Sequence, residues 1–285
     1  MPVKEAKLLE GKVIAAKVRE GIQNFIGNLP VQGLERPRLV AIQVGGGSSA
    51  AWYVAQQEKL AEKLGIQFEK IPPENLPDQK ALLGKIRELN QSPVHGVFLT
   101  MPFPKHLNAD EALLQLDPKK DVEGVHPANL GLIVLRKAKL IPSTAFAVYQ
   151  LIESTGIELR GKRATIVGQS PIVGRPVNLL LGECRVTTTV CNTGTSVVDL
   201  EKSISESDIV VACAGQPGLI KGRWIKPDAI VIDVGTTEVH GQLVGDVEFG
   251  EAKKRAGFIT PVPGGVGPLT VTMLMQNLIN AYRWQ

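Results

Sequence analysis

Cysteine and histidine are scarce in this sequence, with three and four copies among 285 residues. Cys184, Cys191 and Cys213 are odd in number and lack close spacing, which argues against a disulfide framework or a zinc site. They sit in or beside apolar strand-like segments, so they read as plain buried thiols of a reducing, cytoplasmic compartment. His95, His106, His126 and His240 show no metal-ligand spacing, and no metal is expected. An excess of one charge is lacking too: 32 Lys and Arg against 28 Asp and Glu leave a net charge of only +4. The basic residues are scattered and do not interleave with aromatics along one face, which excludes a nucleic-acid footprint. No apolar run approaches the length that spans a bilayer, so no membrane association is expected. The opening MPVKEAKLLEGK has neither the apolar stretch nor the small-residue cleavage site of a signal peptide. Internal repeats, low-complexity tracts and flexible linkers are absent as well.

What is present is an ordinary globular composition, 44% hydrophobic and 21% charged, over a length suited to one large or two ordinary domains. A helix is expected near Glu10–Ile26. From Leu39 onward short β-branched runs alternate with amphipathic stretches. RPRLVAIQVG, IQFEKI and VHGVFLTM read as strands, separated by the helices AAWYVAQQEKLAEKLG and DQKALLGKIRELNQ. After Pro142 a second series follows. Its strands are KRATIVGQ, RVTTTVCN, DIVVACAG and DAIVIDVG, and its helices are TAFAVYQLIESTG, IVGRPVNLLLGE and SVVDLEKSISES. Strands joined by single helices imply right-handed crossovers and mostly parallel sheets, an α/β fold. The chain closes with a Pro/Gly loop, TPVPGGVGP, feeding an apolar helix.

GQSPIVGRP follows the strand RATIV and opens a helix, the context in which backbone N–H groups and the helix N-terminus receive a phosphate. The spacing departs from GxGxxG: Ser170 stands at the middle glycine and Gly174 falls one residue late. A tight structural turn is an equal reading of the motif alone. The end of the next strand, Cys191-Asn192-Thr193-Gly194, offers neither an acid for ribose hydroxyls nor a base for a 2′-phosphate. Arg175 is the nearest cation, with a solvated helix-start residue as its equal alternative, so NAD and NADP are not separated.

Tyr53-Val54 before LAEKLGI, then GVFLTMPFPKHL, PKKDVEGVHPANLG, GQSPIVGRP, GRWIKPDAIVIDVGT, LVGDVEF and TPVPGGVGPLTVTML stand together from about Leu9 to the C-terminus. In combination they resemble the methylenetetrahydrofolate dehydrogenase/methenyltetrahydrofolate cyclohydrolase family. The resemblance implies two α/β domains with a cleft between them. A folate-binding domain over residues 1–141 plus 263–285 is expected, and a Rossmann-like dinucleotide-binding domain over 142–262. It also implies a homodimer built on the nucleotide domain, NAD(P) as cofactor and a tetrahydrofolate derivative as substrate. Tyr53, Asp121, Pro261, Val262, Gly264 and Gly265 fall at its substrate positions, although Asp121 reads equally as structural. Gly168, Gln169, Ser170, Ile172, Gly174, Arg175, Asn192, Thr193, Gly235 and Thr236 fall at its nucleotide positions.

The reactive positions depart from the family together. The family reads YVxxKxK, its first lysine central to hydrolysis, where this chain has Tyr53-Val54-Ala55-Gln56-Gln57-Glu58-Lys59. Gln57 cannot relay a proton as a tuned amine can, and Lys59 lies on another helix face. The glutamine of VQLPLP is Thr100, the aspartate of KDVDG is Glu123, and a common serine is Ala50. The arginine of GRS is Gln169, and the histidine and lysine of CHSKT are Asn192 and Gly194. Gln57, Thr100 and Glu123 are therefore the candidate catalytic residues. An NAD(P)-dependent 5,10-methylenetetrahydrofolate dehydrogenase with cyclohydrolase lost or weak is expected first. A non-redox folate enzyme that passes the methylene carbon to another nucleophile, and a catalytically silent paralogue, stay open.

Overall fold

The computed structural model describes residues 5–45 and 47–285, apart from the side chains of Ser48 and Ser49. In chain order the first elements are β1 (Lys7–Leu8), α1 (Gly11–Asn28), β2 (Arg38–Ile42), α2 (Ser48–Leu64), β3 (Gln67–Ile71), α3 (Gln79–Gln91), β4 (Gly96–Leu99), α4 (Ala109–Gln115) and α5 (Pro127–Val134). Then come α6 (Ser143–Glu153), β5 (Arg163–Val167), α7 (Gly174–Glu183), β6 (Thr187–Cys191), α8 (Val197–Ser205), β7 (Ile209–Ala212) and β8 (Ile230–Asp233). The last are β9 (Thr237–Val239), β10 (Gln242–Val244), α9 (Phe249–Ala252), β11 (Phe258–Ile259) and α10 (Val266–Trp284). The expected strands and helices are all present. No helix among the described residues is long and apolar enough to cross a membrane.

The chain divides into two compact units, Lys17–Ser143 with Val271–Gln285, and the residues up to Ala16 with Thr144–Thr270. In the first unit β3, β2 and β4 form a parallel sheet. Alternate residues of its strands enter two cores, as the two-residue period of a strand requires. Leu39, Ala41 and Phe98 pack with Ile22 and Ile26 of α1, Val54 and Leu64 of α2, and Leu274, Met275 and Leu278 of α10. Val40, Ile42, Val97 and Leu99 pack with Leu82, Ile86 and Leu89 of α3. Each fully buried aliphatic side chain of this kind contributes roughly 1.5–3 kcal/mol. Local signals set the helix ends. The Asp78 carboxylate accepts the Ala81 N–H at 2.8 Å to cap α3, and Gly65 at φ 77° closes α2.

The second unit is a six-stranded, all-parallel sheet in the order β1-β11-β8-β7-β5-β6. Its central strands β7 and β8 are buried along their whole length, as continuous Ile/Val runs demand in a parallel sheet. The chain goes from β5 outward to β6 and then back across β5 to β7. The strand order therefore reverses at β5, and the C-terminal ends of β5 and β7 form the crevice where ligands of such sheets bind.

The unit boundaries differ from the expected domain boundaries at residues up to Ala16 and at 263–270, which join the second unit, and at 142–143, which join the first. Pairing explains the additions to the second unit: Lys7 and Leu8 lie beside Phe258 and Ile259 of β11, and the Gly11 N–H donates to the Gly264 carbonyl at 3.0 Å. A Cβ on Gly11 would run into the Gly265 carbonyl oxygen, so that approach needs glycine. The three thiols are free, but only Cys191 is buried. Cys184 and Cys213 are partly exposed because they follow the ends of α7 and β7 rather than lying within them.

Candidate active site

In the first unit the site grows from the C-terminal half of β4. The backbone of residues 120–122 runs beside β4, with Val97 N–H donating to the Lys120 carbonyl at 2.7 Å and Val122 N–H to the Val97 carbonyl at 3.3 Å. Asp121 is buried and spends its carboxylate on this turn. It accepts from Gly124 N at 3.1 Å, His126 N at 2.7 Å and Asn129 Nδ2 at 2.9 Å. Gly124 sits at φ 73°, and a Cβ there would meet the Ile141 carbonyl. The turn thereby delivers Glu123, which is partly buried, to α2. The Tyr53 hydroxyl donates to Glu123 Oε1 at 2.9 Å, and the Tyr53 ring stands edge-on to Phe98 of β4 with centroids 6.1 Å apart.

Burial dominates the electrostatics of this pair. It pushes the Glu123 carboxyl up to about 7, helped by the nearby Asp121 charge and opposed by the Tyr53 hydrogen bond. The Tyr53 hydroxyl is raised well above its ordinary value, by burial first and by Glu123 second. Gln57 follows Tyr53 by one helical turn and is 0% exposed. Its amide lies near enough to the Tyr53 hydroxyl to favour the phenolate slightly. Even so, neither Nε2 nor Oε1 reaches hydrogen-bond geometry with any protein atom among the described residues. Lys59, two residues on, is exposed. Thr100 is 2% exposed; its hydroxyl accepts from Val44 N at 3.2 Å and its own N–H donates to the Ile42 carbonyl.

In the second unit the loop after β5 carries Gly168 at φ 117°, packed so closely that a Cβ would strike the Cys213 carbonyl oxygen at the end of β7. A Cβ on Gly174 would likewise strike the Gly168 carbonyl oxygen. Those two glycines bring the start of α7 against the strand ends, and Ser170 Oγ accepts the Val173 N–H at 3.2 Å. Gln169, Ile172 and Arg175 are exposed, and Arg175 Nε donates to the Gln169 carbonyl at 3.1 Å. Gly168 N–H donates to the Cys191 carbonyl at 2.9 Å, so this loop lies beside the end of β6. There Asn192 spends its side-chain oxygen on the Gly194 N–H at 2.8 Å, while Thr193 is exposed. Gly235 is buried and Thr236 exposed after β8. Pro261, Val262, Gly264 and Gly265 belong to this unit, where the Pro261 carbonyl accepts from Gly265 N at 2.8 Å.

Both halves of the chain match models of one family. Residues 9–123 match the tetrahydrofolate dehydrogenase/cyclohydrolase catalytic domain, and residues 142–285 match the NAD(P)-binding domain of the same enzymes. The chain belongs to the tetrahydrofolate dehydrogenase/cyclohydrolase family. It is 41% identical to the bifunctional protein FolD 2 of Myxococcus xanthus over 97% of this chain and 96% of that one. It is 42% identical to the bifunctional protein FolD 1 of Hydrogenovibrio crunogenus over 97% of each. Its structure matches the methylenetetrahydrofolate dehydrogenase-cyclohydrolase of Trypanosoma brucei, solved with NADP and an inhibitor, at a TM-score of 0.93. That match has 37% identity and covers 99% of this chain and 98% of the other.

As a member of this family the chain carries an NAD(P)-binding domain after a folate-type catalytic domain. Tyr53, Glu123 and Gln57 come together in the catalytic domain, with Asp121 holding the turn beneath them. The sequence reading missed the supports of that turn. Asn129 and His126 hold its far side, and Asn277 of α10 donates to the Val122 and Ile141 carbonyls at 2.8 and 2.7 Å. Only the PANLG segment carried a signal for them, as a proline at a helix start. Lys120 was missed as well: it is buried, and its ammonium donates to the carbonyls of Leu89, Asn90 and Ser92 at 2.7–2.9 Å.

Proposed function

We propose that the chain is an NAD(P)-dependent 5,10-methylenetetrahydrofolate dehydrogenase in which hydrolysis of the methenyl product is lost or weak. The observation that carries this reading is the wholly buried, neutral Gln57 at the position where the family places its catalytic lysine. Hydrolysis needs an activated water and a group that takes and returns a proton. The Gln57 amide does neither, the Thr100 hydroxyl is engaged with Val44 N, and Lys59 is turned to solvent.

Dehydrogenation makes smaller demands on side chains. A C–H bond of the methylene carbon breaks, its electron pair leaves with the hydrogen, and the folate keeps a positive charge shared by two nitrogens. The nicotinamide, when bound, accepts that hydride. The protein supplies proximity and orientation, for which neither a general acid nor a general base is required. Glu123 and Tyr53 hold the pterin and aminobenzoyl ends in this reading. The loop 168–174 fits a dinucleotide phosphate, because its two glycines let the start of α7 pack against the strand ends, where a helix N-terminus receives an anion.

The test is a Gln57→Lys variant. Gain of methenyl hydrolysis with hydride transfer retained is the expected result, and a variant that stays unable to hydrolyse would count against the role given to this position. The non-redox reading draws on the β6 end, where Asn192 is tied into its own turn and no acid or base replaces it. Folate binding without any dinucleotide binding would favour that reading instead.

A further inference from the structure

The charges of the catalytic domain are unbalanced around Gln57. Glu123 accepts from the Tyr53 phenol, the Ser143 hydroxyl also favours its charged form, and no cation is among the groups that set its ionisation. Asp121 is satisfied by two backbone N–H groups and an asparagine amide, and the neighbouring His126 also favours its charged form, so Glu123 is the acid left without a base. Lys120, the neighbouring base, is drawn off to the carbonyls at the end of α3. Near the Tyr53 hydroxyl that bonds Glu123 lies the Gln57 amide, wholly buried and with neither polar atom in hydrogen-bond geometry with a described residue. Native proteins rarely leave such a group unless something else completes it.

We propose that this pocket discriminates by charge, holding the cationic 5,10-methenyl form of the folate more tightly than the neutral reduced forms, and that the neutrality of Gln57 determines it. The inference rests on the folate reading given above. Oxidation creates a positive charge spread over the two nitrogens and the bridging carbon of the ligand. In a partly buried site the Glu123 carboxylate, ionised as pH rises through about 7, attracts that charge, and a neutral amide does not oppose it. The Gln57 carbonyl oxygen, with no donor of its own, adds a dipole that a cation satisfies. The same attraction acts on the charge developing during hydride loss, so the site favours oxidation of the methylene form. At an effective dielectric suited to such a site, one unopposed carboxylate is worth on the order of ten- to a hundredfold in affinity for the cation.

Equilibrium binding without dinucleotide tests this, using fresh 5,10-methenyltetrahydrofolate and tetrahydrofolate as probes and tryptophan fluorescence as the signal. Trp52, 63% exposed and next to Tyr53, is placed to report. The intact protein is expected to bind the methenyl cation at least tenfold more tightly. Gln57→Lys should lose most of that preference while still binding tetrahydrofolate, and Glu123→Gln, which adds no bulk, should lose it too. Equal binding of the two probes by the intact protein overturns the proposal and leaves the folate reading standing. A preference that survives in both variants also overturns it. Binding of neither probe removes the folate reading and the proposal together.

Discussion

A buried amide with no partner costs stability, because its lost water contacts are not replaced. Gln57→Leu should therefore stabilise the ligand-free protein by about 1 kcal/mol in urea denaturation and weaken folate binding. Stability unchanged or lowered would mean that ordered water already satisfies the amide. Glu123 gives a pH signature. Its folded pKa of about 7 lies above that of an exposed glutamate. The stability tied to its protonated form is thus complete below the unfolded pKa and is lost as pH rises through about 7. Glu123→Gln keeps a neutral side chain throughout. The variant should gain on the parent by roughly 1–3 kcal/mol between pH 4.5 and 7.5, and a constant difference across that window would refute the assignment. Arg175 is exposed and pinned by its Nε to the Gln169 carbonyl, in the loop whose Gly168 N–H bonds the end of β6, and that strand end lacks an acid. Arg175→Ala should weaken NADP⁺ more than NAD⁺, by about tenfold in Kd. The placing of Gln57 at the family's lysine position rests on the motif around Tyr53, which sets the register. The Tyr53–Glu123 bond was not legible in the sequence, since it joins residues 70 apart.

Among the elements, the loops after β7, β8 and β10 are held by two carboxylates. Asp233 accepts from Gly235 N and Asp246 N at 3.0 Å each and from Val247 N at 2.9 Å, while Asp246 accepts from Ala214 N and Gly215 N at 2.7 and 2.9 Å. Burial raises Asp233 to about 6 despite those bonds. Asp233→Ala would strand three backbone N–H groups and should cost about 3 kcal/mol or more, read from the denaturation midpoint. A cost below that of an ordinary surface change would mean the loops relax without it. The central strands and the helices were readable from continuous Ile/Val runs and amphipathic spacing. The β9–β10 hairpin was not, because its two-residue turn is His240-Gly241, with φ 51° and 78°, in place of the usual Asn-Gly. The two-residue strands β1 and β11 carry too few residues for any periodicity to show.

On the scale of the molecule, pairing between residues far apart in sequence decides the division into units. That is why the boundary within α1 and the one within α10 could not be read from the chain. Family and fold class were legible from seven separate motifs, each of which also shapes backbone: the Pro261–Thr270 loop, for example, needs Gly264 at φ 111°. What sequence left open was whether other side chains could relay a proton beside Gln57. In the catalytic domain Lys59 is turned to solvent and Lys120 to the carbonyls at the end of α3. The most direct test mixes the purified protein with 5,10-methylenetetrahydrofolate and either NAD⁺ or NADP⁺ and follows reduced cofactor and methenyl product together. Reduced cofactor appearing in step with methenyl product that decays no faster than it does in buffer is the expected result. Methenyl product consumed as fast as it forms would contradict the role given to Gln57, and no reduced cofactor with either nucleotide would contradict the dehydrogenase itself.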